Sequence, residues 1–440
     1  MSYTDAAMLQ TLQGLLRIPS VSGHGATPAQ PYGKEVDEAL DHTLALCRSL
    51  GMKTVKLPGK TAWAEIGQGD ELIAVVPHLD VVPAGEGWTV APFDGTVRDG
   101  RIYGRGSSDN KGPAVACIYA AADVLEALRG ALPRRLRLIF GQSEETGLWP
   151  DMDYYRTHEE TPLAGFTPDA EFPALSGEKG MLWAQVSLPR ERSGLCFLHG
   201  GTACNIVAAQ CEAAYPGRDG TPVRVSAAGR AAHATVPDQG VSAIDAVMQT
   251  LRGAVEDPLV AFYETYLSGA CHGEKLAIDC ADEPSGRTTL CAGMVRTTAS
   301  ELTMTLDIRY PVTGDGAAIL ASVERAAGQY GLGLTLLKNA KPLYRPKHHP
   351  ILQQVLAAYR EETGDLGDPI VIGGGTYARG IDNIVGFGGA FPGHVHTEHQ
   401  ADEYMELADF YQQRRIYRSA MLRLLRMDGA ALAEGSGGPL

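Results

Sequence analysis

No Cys-x-x-Cys pair occurs in the 440 residues; the eight cysteines stand apart at 47, 117, 196, 204, 211, 271, 280 and 291. That scatter argues against a structural zinc cluster or a disulfide framework and makes buried free thiols the expectation. No stretch of 18 apolar residues is present, so no helix is expected to cross a bilayer, and no membrane partner is expected. The opening residues, MSYTDAAMLQTLQGLL, contain Asp5 and no basic segment ahead of an apolar run, so the chain reads as cytoplasmic. Positive charge is also short. Lys and Arg number 38 against 52 Asp and Glu, a net charge of −14 that repels phosphate backbones and argues against nucleic acid as a partner. Several catalytic signatures are missing too. Gly386-Phe387-Gly388 lacks the third glycine of GxGxxG because position 391 is Phe, no GxxxxGK[ST] occurs, Gly141 to Glu145 is not GxSxG, and His158 to Pro162 is not HExxH.

What remains is an ordinary globular composition, 44% hydrophobic and 20% charged, long enough for two or three domains. Residues 4–17 and 35–50 show helical spacing on either side of a Ser-, Gly- and Pro-rich loop at 18–32. The apolar runs LIAVVP (72–77) and LRLIF (136–140) read as buried parallel strands, and 112–131 places Val115, Ile118, Ala122 and Leu125 on one helical face between them. After about residue 182 the pattern changes. Residues 223–227 and 302–308 alternate as half-exposed strands do, with an amphipathic helix expected at 241–255. Helices return at 350–363 and 405–426, strand-like pieces fall at 369–372 and 383–386, and the Gly- and Ser-containing tail 429–440 is expected to fray.

In open α/β sheets, reactive groups gather in loops beyond the carboxyl ends of strands, and here those loops are rich in histidine and carboxylate. His78-Leu79-Asp80 ends the first apolar run and Glu144-Glu145 follows the second. Asp109 precedes a helix, where a plain N-cap would also explain it. Asp169 sits in the Pro-flanked turn TPDAEFP, and His394, His396 and His399 crowd one late segment. Adjacent acids raise each other's pKa unless a cation neutralises them. Together these donors suit two zinc or similar divalent ions sharing one carboxylate.

In PHLDVVPAGEGW (77–88), YGRGSSDNKGP (103–113), GQSEETG (141–147), TPDAEFP (167–173), GRAAHATVP (229–237), LDIRYP (306–311), IGGGTYARG (372–380) and HQADEYM (399–405), the sequence resembles the di-zinc metallopeptidase family of aminoacylase, acetylornithine deacetylase and glutamate carboxypeptidase. TPDAEFP and GGGTYARG look most like its bacterial carnosinase-like dipeptidase branch. The resemblance implies that His78, Asp109 and Asp169 hold one metal and that Asp109, Glu145 and His399 hold the other. It makes Glu144 the general base and Asp80 the support of His78. It gives His233 the developing oxyanion and makes Asn205, Arg309 and Gly374 substrate contacts. Asn110 departs from the pattern, since many relatives carry Asp there.

The implied fold is α/β: a catalytic domain with a mixed sheet flanked by helices, residues 1–182 and 343–440, interrupted by a smaller α+β lid domain, 183–342. The implied reaction is hydrolysis of the amide bond in small peptides, namely dipeptides with a free carboxylate, using two divalent ions per chain: zinc, or manganese or cobalt. An N-acyl amino acid deacylase on the same fold is the alternative, and a metal-free binding protein a more distant one. The size of the insertion, with FYETYLSGACHGEKLAI (262–278) before LDIRYP, resembles the dipeptidase type, which implies a monomer whose His233 acts in its own chain. Mixing inactive His233→Ala and Glu144→Gln chains should therefore restore no activity; substantial recovery would show donation between chains.

Overall fold

The computed structural model describes residues 3–428; the tail 429–440, expected to fray, lies outside the described residues. The chain divides into two compact units. One comprises the chain up to Ser176, Arg345–Ile370 and the chain from Gly375; the other is Gly177–Tyr344 with the short return Val371–Gly374. The first division precedes the expected one at 182/183. Gly180–Pro189 is one continuous strand, all of it within the second unit, and a boundary at 182 would cut it.

The discontinuous unit is built on a six-stranded sheet. Lys53–Leu57, Thr61–Ile66 and Arg135–Ile139 are antiparallel neighbours. From Arg135–Ile139 the sheet continues in parallel through Leu72–Val75, Ala164–Thr167 and Ile384–Gly386. Leu72–Val75 is buried at every position, as a strand covered on both faces must be, which is why LIAVVP shows no alternation. The helix Lys111–Ala127 is Ala-rich and buried almost all round, packing on Leu407–Leu425 and Asp5–Leu16. Its first residue is a buried lysine whose Nζ donates to the carbonyls of Leu15 and Ile18 at 3.1 and 2.7 Å. Those two carbonyls, at the end of the first helix and just beyond it, are thereby satisfied.

The parallel strands all end on one side. Val75 leads to His78 and Asp80, Ile139 to Glu144 and Glu145, and Thr167 to Asp169. Leu72–Val75 has parallel partners on both sides, so the chain leaves the sheet in opposite directions around it, and ligand-bearing loops collect at such a point.

The inserted unit has a seven-stranded antiparallel sheet carrying the helices Ala243–Leu251, Pro258–Tyr266 and Gly316–Gln329. Each helix starts on a side-chain cap, from Ser242, Asp257 and Asp315 respectively. Two expectations are corrected here. The amphipathic helix is shorter than 241–255. Strand 302–308 belongs to Glu301–Tyr310, which is buried from Leu302 onward rather than half-exposed, because it runs between Gly180–Pro189 and Thr289–Thr297. Pro222–Ala228, paired only with Gln210–Pro216, is one exposed edge, and Gly333–Ala340, paired only with Gly180–Pro189, is the other. All eight cysteines are free; Cys47, Cys117, Cys211 and Cys291 are buried and the other four are half-buried. Among the described residues, no helix is long and apolar enough to cross a membrane.

Under the parallel strands Phe166 meets Phe387 edge-on at 5.4 Å and stacks on Tyr417 at 5.5 Å, fully buried. Phe166→Ala should cost about 3–5 kcal/mol of unfolding free energy. Chemical denaturation measures it, and a loss below about 1 kcal/mol would mean that the surrounding rings refill the space.

Candidate metal centre

His78 is sealed from solvent. Its Nδ1 lies 3.0 Å from the backbone carbonyl of Asp80 and 3.4 Å from that residue's carboxylate, so the Nδ1 proton is spoken for and Nε2 is left to face Asp109. The Asp80 carboxylate has a second task. Its two oxygens accept the backbone N–H groups of Glu144 and Glu145, each at 3.1 Å, and one of them also accepts the Ser22 hydroxyl. Asp80 thus fixes the imidazole through its carbonyl and the acidic turn through its side chain.

Asp109 stands between two histidines. Oδ1 is 3.0 Å from His78 Nε2 and Oδ2 is 3.0 Å from His399 Nε2. The N-cap reading of Asp109 does not hold: Asn110 is the cap residue, and its side chain makes no cap bond. Instead Asn110 donates through Nδ2 to the Pro168 carbonyl at 3.2 Å and accepts from His78 N at 3.4 Å, tying together the loops that carry Asp109, His78 and Asp169. Asp169 Oδ2 lies 3.7 Å from His78 Nε2, and Glu145 Oε2 lies 3.1 Å from His399 Nε2. Donor atoms of His78, Glu144 and Asp169 fall within 4.8 Å of one another, as do those of Asp109, Glu145 and His399. Glu144 therefore stands close enough to join the first group. His394 and His396 have other partners: His394 Nδ1 is 2.7 Å from Asp409, and His396 is 3.6 Å from Glu398.

The electrostatics call for cations. Burial first, then Asp169, Glu145 and Asp109, push the Glu144 carboxyl well above the usual range against His78. Burial and Asp109 push Glu145 up to about 7, and burial raises Asp169. Burial also works against ionisation of Asp109, yet His399 and His78 hold it well below the usual range. The imidazoles respond in turn. His399 rises to about 11 and His78 well above its ordinary value, burial being outweighed by the carboxylates. The carboxylates that face them thus favour the charged form of both imidazoles. Glu145 Oε1 is buried with no hydrogen-bond partner, a lone pair of the kind a metal ligand offers. The residues fit a pair of divalent ions.

Beneath the acidic turn lies a set of residues that the sequence reading passed over. The Tyr377 hydroxyl donates to Asp151 at 2.9 Å and accepts from Ser143 N at 3.2 Å. Asp151 also accepts from Gln142 N and the Ser143 hydroxyl, both at 2.7 Å. A Cβ on Gly141 would fall 2.0 Å from the Tyr377 ring, so only glycine fits there. In the sequence the set is marked by Tyr377 inside IGGGTYARG, with nothing at Asp151 to pair it.

The remaining candidates lie in the inserted unit. Asn205 and His233 are adjacent, since Ile206 bridges His233 and Ala234 N donates to the Asn205 carbonyl. His233 is exposed, with Nδ1 2.8 Å from the Thr235 hydroxyl. Arg309 is buried rather than a surface strand residue; Nε and Nη2 grip both oxygens of Asp307, and Nη1 donates to the Gly373 carbonyl at 2.7 Å. Gly374 follows directly, and Gly373 packs so closely on Thr235 that a Cβ would lie 2.4 Å from its methyl.

A profile of Peptidase family M20/M25/M40 matches residues 74–423, spanning both units. The chain belongs to this family. It is 34% identical over 455 residues to the Bacillus subtilis (strain 168) protein named "Putative dipeptidase YtjP", covering 95% of this chain and 97% of that one. It is 30% identical over 463 residues to "Putative dipeptidase SAUSA300_1697" of Staphylococcus aureus, covering 96% and 97%. Among solved structures, human carnosine dipeptidase 1 superposes with a TM-score of 0.66 at 15% identity, over 96% of this chain and 97% of that one. The aminoacylhistidine dipeptidase of Vibrio alginolyticus gives 0.58 at 14%, over 95% and 96%. At such identities these structures speak for the fold alone. The M20 chain is a metallopeptidase with an α/β catalytic domain interrupted by a smaller α+β domain.

These shifts set a pH dependence for the metal-stripped protein. Between the ordinary carboxyl value of 4.5 and about 7, Glu145 holds more proton in the folded state than in the unfolded one, so stability falls as pH rises. His399, raised from 6.5 to about 11, contributes stability that is fully present below 6.5 and is lost toward 11, extending the fall. The Tm of chelator-stripped protein should therefore drop from about pH 5 to about pH 8, and zinc should remove most of the drop. A Tm that climbs over that range would contradict the charge balance described.

Proposed function

We propose that the chain hydrolyses the amide bond of dipeptides bearing a free carboxylate. The observation that carries this reading is Asp109, with each carboxylate oxygen 3.0 Å from a different histidine, the arrangement of a ligand shared by two cations. We assign His78, Asp109 and Asp169 to one divalent ion and Asp109, Glu145 and His399 to the other, with zinc as the metal and manganese or cobalt as substitutes. When bound, such ions supply Lewis acidity, polarising the scissile carbonyl and acidifying the attacking water.

The protein's own groups do the rest. Glu144, on a turn pinned by Asp80, takes the proton of the attacking water and returns it to the leaving amine. Asp80 keeps the His78 Nδ1 proton engaged, so Nε2 remains a ligand. In the inserted unit His233 is assigned to the developing oxyanion, with Asn205, Arg309 and Gly374 as substrate contacts. Because Nε and Nη2 of Arg309 already grip Asp307 and Nη1 donates to the Gly373 carbonyl, it meets a substrate carboxylate through the N–H groups left on Nη1 and Nη2. The chain acts as a monomer in the cytoplasm, with His233 serving its own chain.

Glu144→Gln should lower kcat at least about a hundredfold with metal content retained, whereas Glu145→Gln should lose metal. Elemental analysis with single-turnover kinetics separates the two, and the reverse pattern would exchange their roles. Chelation should abolish activity, and zinc, manganese or cobalt should restore it. Unblocked dipeptides should turn over faster than N-acetyl amino acids; a preference for the acyl compounds would make the chain a deacylase.

A further inference from the structure

Glu403 is charged, wholly buried, and has no part in the chemistry above. Its Oε1 accepts the backbone N–H groups of Gly106, Ser108 and Asp109 at 3.1, 2.9 and 3.1 Å. Its Oε2 accepts Arg105 Nη1 at 2.6 Å, and its own backbone carbonyl accepts Gly104 N at 2.9 Å. Arg105, equally buried, donates through Nη2 to the carbonyls of Ala84 and Pro83 at 3.2 and 3.4 Å. Its guanidinium lies 5.4 Å from the Trp88 ring. Three stretches of chain meet at this one ion pair. Residues 83–84 follow His78 and Asp80, residues 104–109 end in Asp109, and Glu403 lies four residues beyond His399.

We infer that the Arg105–Glu403 pair is a positioning device for the metal centre: it fixes Asp109 between His78 and His399 by clamping the three loops that carry them. Three N–H groups converging on one carboxylate oxygen set the path of the backbone up to Asp109, and with it where that side chain starts. A buried ion pair adds little net stability over an apolar replacement, so its effect lies in what it orients. Burial and the nearby Asp109 carboxylate push the Glu403 carboxyl up to about 7, against Arg105 and the N–H donors. The inference rests on the two-metal reading.

The test titrates metal-free protein with zinc, following heat and stoichiometry, and then measures dipeptide hydrolysis at saturating zinc. Three variants are compared with the parent chain. Glu403→Gln puts an amide where two acceptor oxygens stood. Glu403→Asp keeps the charge but draws the carboxylate back from the N–H groups. Asp123→Asn breaks the Arg414–Asp123 pair, a two-bond ion pair of the same unit that touches none of these loops. The parent should bind two ions. Both Glu403 variants should bind at least one of them tenfold or more weakly, and kcat should fall at least tenfold with KM within twofold, while Asp123→Asn follows the parent in both respects. Unchanged zinc affinity in a folded Glu403→Gln, or equal weakening in Asp123→Asn, would overturn the assignment. So would failure of both Glu403 variants to fold, since the pair would then serve the fold and not the centre. A parent chain that binds no zinc would instead overturn the two-metal reading beneath it.

Discussion

Mutual repulsion of crowded, buried and half-buried carboxylates is the constraint on which the rest of this structure depends. Asp80, Asp109, Glu144, Glu145 and Asp169 converge beyond the ends of three neighbouring parallel strands, with only two imidazoles among them. Asp80 is accommodated without a cation, because it accepts two backbone N–H groups and a hydroxyl. No comparable set of donors surrounds Glu145, one of whose oxygens is left without a hydrogen bond. The turn at the strand ends therefore supplies two kinds of position: one where a carboxylate is held by the chain's own N–H and hydroxyl donors, as at Asp80, and one where an oxygen is left without a donor, as at Glu145.

Much of the fold could be read from the chain. The apolar runs at 72–77 and 136–140 hold buried strands, and the helix between them starts within a residue of the expected 112 but ends earlier than 131, at Ala127. Strand 302–308 escaped because Thr303, Thr305 and Asp307 suggest a wet face, whereas neighbouring strands and the pairing of Asp307 with Arg309 and Trp183 cover it. Local pattern reports which residues are polar, and it cannot report that a second polar residue will satisfy them. The same limit explains the residues that were missed. Tyr377, Asp151, Arg105 and Glu403 meet across gaps of hundreds of residues, and nothing in the flanking sequence of any one of them announces its partner. The donors at 78, 109, 145, 169 and 399 were visible as types in strand-end loops, but their grouping came from resemblance of motifs and not from spacing.

The inserted unit shows how a side chain that reads as a ligand-binding group is also a structural one. Arg309 joins Asp307 of its own internal strand to the return segment Val371–Gly374 through the Gly373 carbonyl. Gly373 is pressed against Thr235, two residues from His233, so Arg309, the glycine segment and the His233 loop form one connected patch. The run of three glycines is a packing requirement here as much as a source of backbone freedom: the first of them has no room for a side chain.

The order of the ligands along the chain has a consequence for biosynthesis. His78 and His399 are separated by about 320 residues. At roughly 5–20 residues per second, the ribosome makes the last ligand about 15–65 seconds after the first. The parallel sheet is itself incomplete until Ile384–Gly386 arrives to pair with Ala164–Thr167. From residue 169 onward the nascent chain carries Asp109, Glu144, Glu145 and Asp169 but lacks His399 and Glu403 until both are made. On the proposed assignment, the two-metal centre is completed only near the end of synthesis, and a chain cut short before residue 399 has the acids of the centre without His399.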